Sequence, residues 1–81
     1  MRVVHFIAVD VVSDNGKERV YKIESDIEVA TLILNKDSLT TTINGFNDTL
    51  KYLMSKKFVD DLIVDNYKKN PEQKSFAYGR G

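Results

Sequence analysis

Val3-Val4-His5-Phe6-Ile7-Ala8-Val9-Asp10-Val11-Val12-Ser13-Asp14-Asn15-Gly16 is the stretch on which the fold turns. Seven residues between positions 3 and 12 are β-branched or phenylalanine, and they fall on both faces of an extended chain. That pattern places a strand inside a sheet, or between a sheet and a covering helix. Asn15-Gly16 comes at once after it, and Asn-Gly is a strong hairpin signal because both residues tolerate positive φ. A two-residue turn there sets Asp14 opposite Lys17, Val12 opposite Arg19, Asp10 opposite Tyr21, Val9 opposite Lys22 and Ala8 opposite Ile23. The return strand, Glu18 to Glu24, is more polar and is expected nearer an edge or solvent.

Working outward, residues 25 to 37 support two readings. Ser25 and Glu28 have the spacing of a capping box, which predicts a helix from about Asp26. Ile27, Val29, Thr31 and Ile33 also alternate as a strand would. The polar turn Asn35-Lys36-Asp37-Ser38 and the run Leu39-Thr40-Thr41-Thr42-Ile43 tip the balance toward a second hairpin, strands 28 to 34 and 39 to 44. The helix reading stays open. Asn44-Gly45 breaks the run, and Asn47 or Asp48 can cap the next element.

From Thr49 to Lys69, Leu50, Leu53, Met54, Phe58 and Leu62 recur at helical spacing, with Tyr52, Val59, Ile63 and Tyr67 beside them. One long helix or two consecutive ones are expected. The competing reading ends a shorter helix near Ser55-Lys56-Lys57 and makes 59 to 64 a strand. Pro71 ends the segment, and Lys68 and Lys69 suit its C-terminal dipole. The predicted class is α+β: a small antiparallel sheet, built on the N-terminal hairpin plus one or two strands, packed by a C-terminal amphipathic helix. Residues 1–70 read as one domain. Residues 71–81, opened by a proline and closed by glycines, read as a mobile or loosely docked tail.

The chain has 81 residues, enough for one small core. Twelve basic residues balance twelve acidic ones, which excludes the basic excess of a strongly salt-driven nucleic-acid binder and the acidity of a DNA mimic. The balance conceals polarity: in residues 68–81, Lys68, Lys69, Lys74 and Arg80 face only Glu72. No cysteine is present, so a disulfide-braced secreted domain is not expected. The apolar run before Asp10 is too short to span a membrane, and a cytoplasmic location is expected. Lysine-rich, arginine-poor composition suggests AT-rich coding, as in low-GC bacteria and their phages.

No constellation supports catalysis. His5 is the lone histidine, so a nucleophilic triad or the usual zinc ligand set cannot be assembled around it. Gly16 and Gly45 stand in Asn-Gly turns rather than in a phosphate loop. Asp60, Asp61 and Asp65 could offer oxygen ligands, but Lys56 and Lys57 four residues earlier predict a salt-bridged helix surface. Neither catalytic residues, cofactor nor metal are expected. Asp10 interrupts the face of Phe6, Ala8 and Val12, and a buried carboxylate needs partners, for which Tyr21 and Arg19 are candidates. Asp10 reads as structural, with a binding surface as the alternative. In the tail, Phe76, Tyr78 and Arg80 alternate and would share one side of an extended chain.

The leading expectation is therefore a non-catalytic protein-binding module: an adaptor, inhibitor or small subunit, of phage or mobile-element type. Its candidate contacts are Phe76, Tyr78, Arg80, Lys68, Lys69, Lys74, Asp10 and Tyr21. Another protein is the expected partner, no membrane is, and a homodimer is kept as an alternative. The competing function is nucleic-acid binding by the sheet face and the basic, aromatic C-terminal segment.

Overall fold

The computed structural model describes residues 5–80. Five antiparallel strands, β1 (His5–Asp14), β2 (Glu18–Ser25), β3 (Val29–Asn35), β4 (Thr40–Asn44) and β5 (Ser75–Arg80), form one sheet in the order β4-β3-β2-β1-β5. Among the described residues one α-helix, α1 (Lys56–Lys69), packs on one face. This is the α+β class expected from the sequence. Val3 and Val4, included in the expected first strand, lie outside the described residues.

The first hairpin forms, but in a different register. Asn15-Gly16 is not its two-residue turn. The Asn15 side-chain oxygen accepts from the Lys17 and Glu18 amides, both at 2.8 Å, and the Asn15 amide donates to the Glu18 carbonyl. The loop is thereby centred on Gly16-Lys17, and Asp14 pairs with Arg19. A bulge between Val11 and Ser13 then shifts the ladder by one residue, so Val11 meets Tyr21, Asp10 meets Lys22 and Ala8 meets Glu24. Relative to the Asn15-Gly16 register, every side chain of the lower ladder changes face.

That shift decides which face is core. Ile7 and Val9 of β1, Tyr21 and Ile23 of β2, and Ala30, Leu32 and Leu34 of β3 turn toward α1 and are buried with Val59 and Ile63. Each fully buried aliphatic side chain contributes roughly 1.5–3 kcal/mol, so this row is the main stabilising term. The centre of the helical stripe is Val59 and Ile63, with Phe58, Leu62, Val64 and Tyr67 on its flanks. The opposite face of the sheet has no covering layer among the described residues. Asp10, Lys22, Glu24 and Thr31 stand exposed on it.

Residues 25 to 37 resolve as the second hairpin. The capping-box pair is used in the β2–β3 turn instead. The Ser25 hydroxyl accepts from the Ile27 and Glu28 amides, and the Glu28 carboxylate accepts from the Thr49 amide. Ser25 and Thr49 hydroxyls also meet at 2.7 Å in a buried contact. The helical segment is two pieces. A wide turn, Thr49–Leu53, closes with the Met54 amide donating five residues back to the Thr49 carbonyl, and Ser55 then caps α1 by accepting from the Phe58 amide. Asp48 makes no side-chain cap.

The segment read as mobile or loosely docked, 71–81, supplies β5 over Ser75–Arg80, paired to β1 from His5↔Arg80 to Asp10↔Ser75. The chain leaves the sheet at edge strand β4 and re-enters beside β1, so the segment holding α1 carries it over the covered face from one edge to the other.

Gly45 sits at φ 111°, where an added Cβ would lie 3.2 Å from the Val29 carbonyl oxygen and 3.3 Å from Ala30. Gly16 has open space and no positive φ. Gly45→Ala should therefore destabilise by about 2 kcal/mol, while Gly16→Ala should be neutral or stabilise by about 0.5 kcal/mol. Urea unfolding of the two variants checks this. Equal effects would remove the distinction between the two turns.

Candidate functional site

The residues singled out in the sequence separate into two places. Phe76 and Tyr78 do share a side of β5, but it is the covered one. Both are half-buried against the core, and Tyr78 meets Phe58 edge-to-face with ring centroids 5.3 Å apart. Tyr21 is 1% exposed and cannot touch a partner, which corrects its placement on a contact surface. Asp10 is not buried either. It stands exposed on the open face opposite Lys22 on one side and Ser75 on the other. Cross-strand pairing of opposite charges accounts for its place in an otherwise apolar strand. Lys68 and Lys69 are exposed in the last turn of α1. The side chains of His5 and Arg80 lie outside the described ones.

Lys74 belongs to a cluster that the expected register concealed. Because the bulge places Asp14 opposite Arg19, both turn toward the covered face at the end of the sheet. Arg19 donates from Nη2 to Asp14 Oδ2 at 2.8 Å, and its side chain is 5% exposed. Lys36 pairs with the other carboxylate oxygen, and Lys74 Nζ lies 3.9 Å from Oδ2. The guanidinium carbon is 5.0 Å from the Tyr67 ring centroid, a cation–π contact from α1. One carboxylate thus gathers β1, β2, the β3–β4 loop and the residue preceding β5.

The electrostatics reflect this crowding. The hydrogen bond from Lys36 holds the Asp14 carboxyl below its ordinary value of 3.8; partial burial opposes this, and Arg19 reinforces it. Burial pushes the Tyr21 phenol up, although the neighbouring guanidinium favours the phenolate. Arg19 Nε and Nη1 and the Tyr21 hydroxyl are buried without hydrogen-bond partners. These atoms are sealed under Tyr67 rather than presented to solvent, so the corner fastens the fold and offers no reactive group.

The helix carboxylates are paired as their spacing predicted, Lys56 with Asp60 at 2.6 Å and Lys57 with Asp61 at 2.8 Å. Asp60 also accepts from the Thr41 hydroxyl of β4. Among the described residues, no three His, Cys, Asp or Glu side chains gather as a metal site. A shallow depression of about 430 Å³ beside the α1 C-terminus is lined by Lys69, Asn70, Pro71, Glu72 and Gln73, with no convergent groups.

The outer edge of β5 gives a definite place to the strand that the alternation of Phe76, Tyr78 and Arg80 allowed. The Val11 amide donates to the Lys74 carbonyl at 2.8 Å. Hydrogen-bonded pairs alternate along an antiparallel ladder, so Val9–Phe76 and Ile7–Tyr78 exchange bonds with β1. Ser75, Ala77 and Gly79 therefore direct their amides and carbonyls away from the sheet. All three are small, exposed residues, and nothing lies within 4 Å of a Cβ built on Gly79. The alternation Ser75-x-Ala77-x-Gly79 was the available signal. No family model, curated protein or solved structure matches the chain.

Asp14→Ala should destabilise by about 3 kcal/mol, because it strands a buried guanidinium. Arg19→Met, which replaces the cation by an apolar chain and leaves Asp14 its lysines, should stay within about 1 kcal/mol of the parent. Chemical unfolding orders the two, and a larger loss for Arg19→Met would contradict this account. The pH dependence has a definite sign. A carboxyl depressed in the folded state stabilises above its unfolded value and ceases to do so as pH falls through the folded value. Thermal unfolding should therefore show a steeper loss below about pH 4 in the parent than in Asp14→Asn. Parallel acid limbs would show that Asp14 does not titrate in the fold's favour.

Proposed function

We propose that this chain is a small, non-catalytic protein-binding module, acting as an adaptor, inhibitor or small subunit. The observation that carries the reading is the outer edge of β5, unpaired among the described residues, beside a sheet face that those residues leave uncovered. Together they offer a partner backbone hydrogen bonds and a flat, mixed-polarity surface. The groups with unusual environments, Asp14, Arg19 and Tyr21, hold the strands together beneath Tyr67 and face no cleft. A chain without cysteine suits a reducing cytoplasm, and no described helix is long and apolar enough to cross a membrane.

Nucleic-acid binding draws less support. Base stacking needs free aromatic faces, whereas Phe76 and Tyr78 pack on the helix side. The open face carries Asp10 and Glu24 beside Lys22, not a basic stripe. Affinity capture from a lysate of the source cell, with the purified chain as bait, separates the readings. A protein retained in stoichiometric amount after nuclease treatment is expected. Retention of nucleic acid alone, lost as salt is raised, would overturn the proposal.

A further inference from the structure

Taking the protein-binding role as given, we propose that β5 accepts a sixth strand: an extended partner segment, apolar at alternate positions and acidic at its ends. The ladder parity gives the partner three residues with free amides and carbonyls, Ser75, Ala77 and Gly79. None of the three carries a side chain large enough to obstruct an incoming backbone. A strand laid along them places its intervening residues on the covered side, beside Phe76 and Tyr78. Those two rings are half-buried, so an apolar residue opposite each would complete their burial.

Charge selects the ends. Lys74 precedes β5 with its side chain 65% exposed, and Arg80 closes the strand, in a segment where Lys68 and Lys69 add to the basic excess. Acidic residues facing positions 74 and 80 are complementary. A second copy paired antiparallel about Ala77 would set Lys74 against Arg80 twice, and like charges directly opposed are unfavourable. The other edge, β4, is a poorer acceptor. Parity there turns Thr41 and Ile43 outward, both β-branched, with no charge between Thr40 and Asn44 to select a partner.

The blocked heptapeptide Glu-Thr-Val-Thr-Val-Thr-Glu is the probe, with Lys-Thr-Val-Thr-Val-Thr-Lys as its charge-reversed counterpart. Amide NMR of the full chain should show slowed hydrogen exchange at Ser75, Ala77 and Gly79 on adding the acidic peptide. The basic peptide should bind about tenfold more weakly, as expected for two exposed charge pairs reversed. Ala77→Pro removes an outward amide that the inner ladder does not use, and edge strands tolerate proline there. It should lose peptide binding while the Phe76 and Tyr78 amides stay protected.

Absence of protection at several millimolar peptide overturns the proposal, as does equal affinity for the two peptides. Concentration-dependent protection of the same amides without peptide would assign the edge to a second copy instead. A natural partner protein that Ala77→Pro still captures would exclude the edge while leaving the protein-binding role standing.

Discussion

The ion pair between Asp14 and Arg19 is possible only because β1 carries one residue more than β2 needs. The bulge at Val12 absorbs that residue, and from there to the turn Asp14 is directly opposite Arg19 on the covered face. Without it, Asp14 would lie on the solvent side and Arg19 would be sealed beneath Tyr67 with no counter-charge. Burying a lone guanidinium costs several kcal/mol even after relaxation, which is comparable with the whole stability of a chain this size. The bulge and the pair are therefore one device. It also reaches outward, since Lys36 and Lys74 attach to the same carboxylate and bring the β3–β4 loop and the approach to β5 to one corner.

The rest of the architecture depends on a sheet that has one helix to cover it. The N-terminal part of α1 reaches both margins of the sheet, Phe58 toward Tyr78 of β5 and Asp60 toward Thr41 of β4, while Val59 and Ile63 are fully buried and Tyr67 lies over Arg19 of β2. Among the described residues the sheet's other face has no cover and is populated accordingly, with Asp10 opposite Lys22 on it. Where the connection could not stay helical, between Leu53 and Lys56, the chain unwinds and restarts at Ser55. Both apolar sets of the sequence continue into α1, where Val59 and Ile63 are buried and Phe58, Leu62 and Tyr67 are partly buried against the same cluster.

The first strand, over its described residues, was legible as an element type, whereas residues 25 to 37 also fitted a helix and residues 59 to 64 a strand, and only the packing chose between them. Register is different in kind. A one-residue bulge leaves no compositional mark, yet it reverses the face of Asp10 and Tyr21, which is why a buried carboxylate was expected where an exposed one stands and a contact residue where a core residue stands. The Ser25–Glu28 spacing is another case. Its hydrogen bonds form, but Glu28 reaches across to Thr49 instead of back along a helix, a choice made by a residue 21 positions away. The C-terminal segment was read as a tail because Pro71 and the glycines mark a break without revealing the strand between them. Phe76 and Tyr78 alternate as strand residues should, and only the pairing with β1 is invisible to local reading.

That pairing explains the composition of β5 itself. Strand-edge residues normally discourage further pairing by bulk, proline or inward charge, and β5 has none of these between Ser75 and Gly79. Its outward positions are small, its inward positions are aromatic, and its one charged residue, Arg80, is the last, with Lys74 just before the strand. Packing against α1 requires the aromatics, since Tyr78 must reach Phe58 across the sheet margin. Nothing in the packing of the core requires Ser, Ala and Gly at the alternate positions, where β-propensity alone would favour branched residues. The fold therefore accounts for half of the strand, and the other half is composed as a surface left open to a backbone.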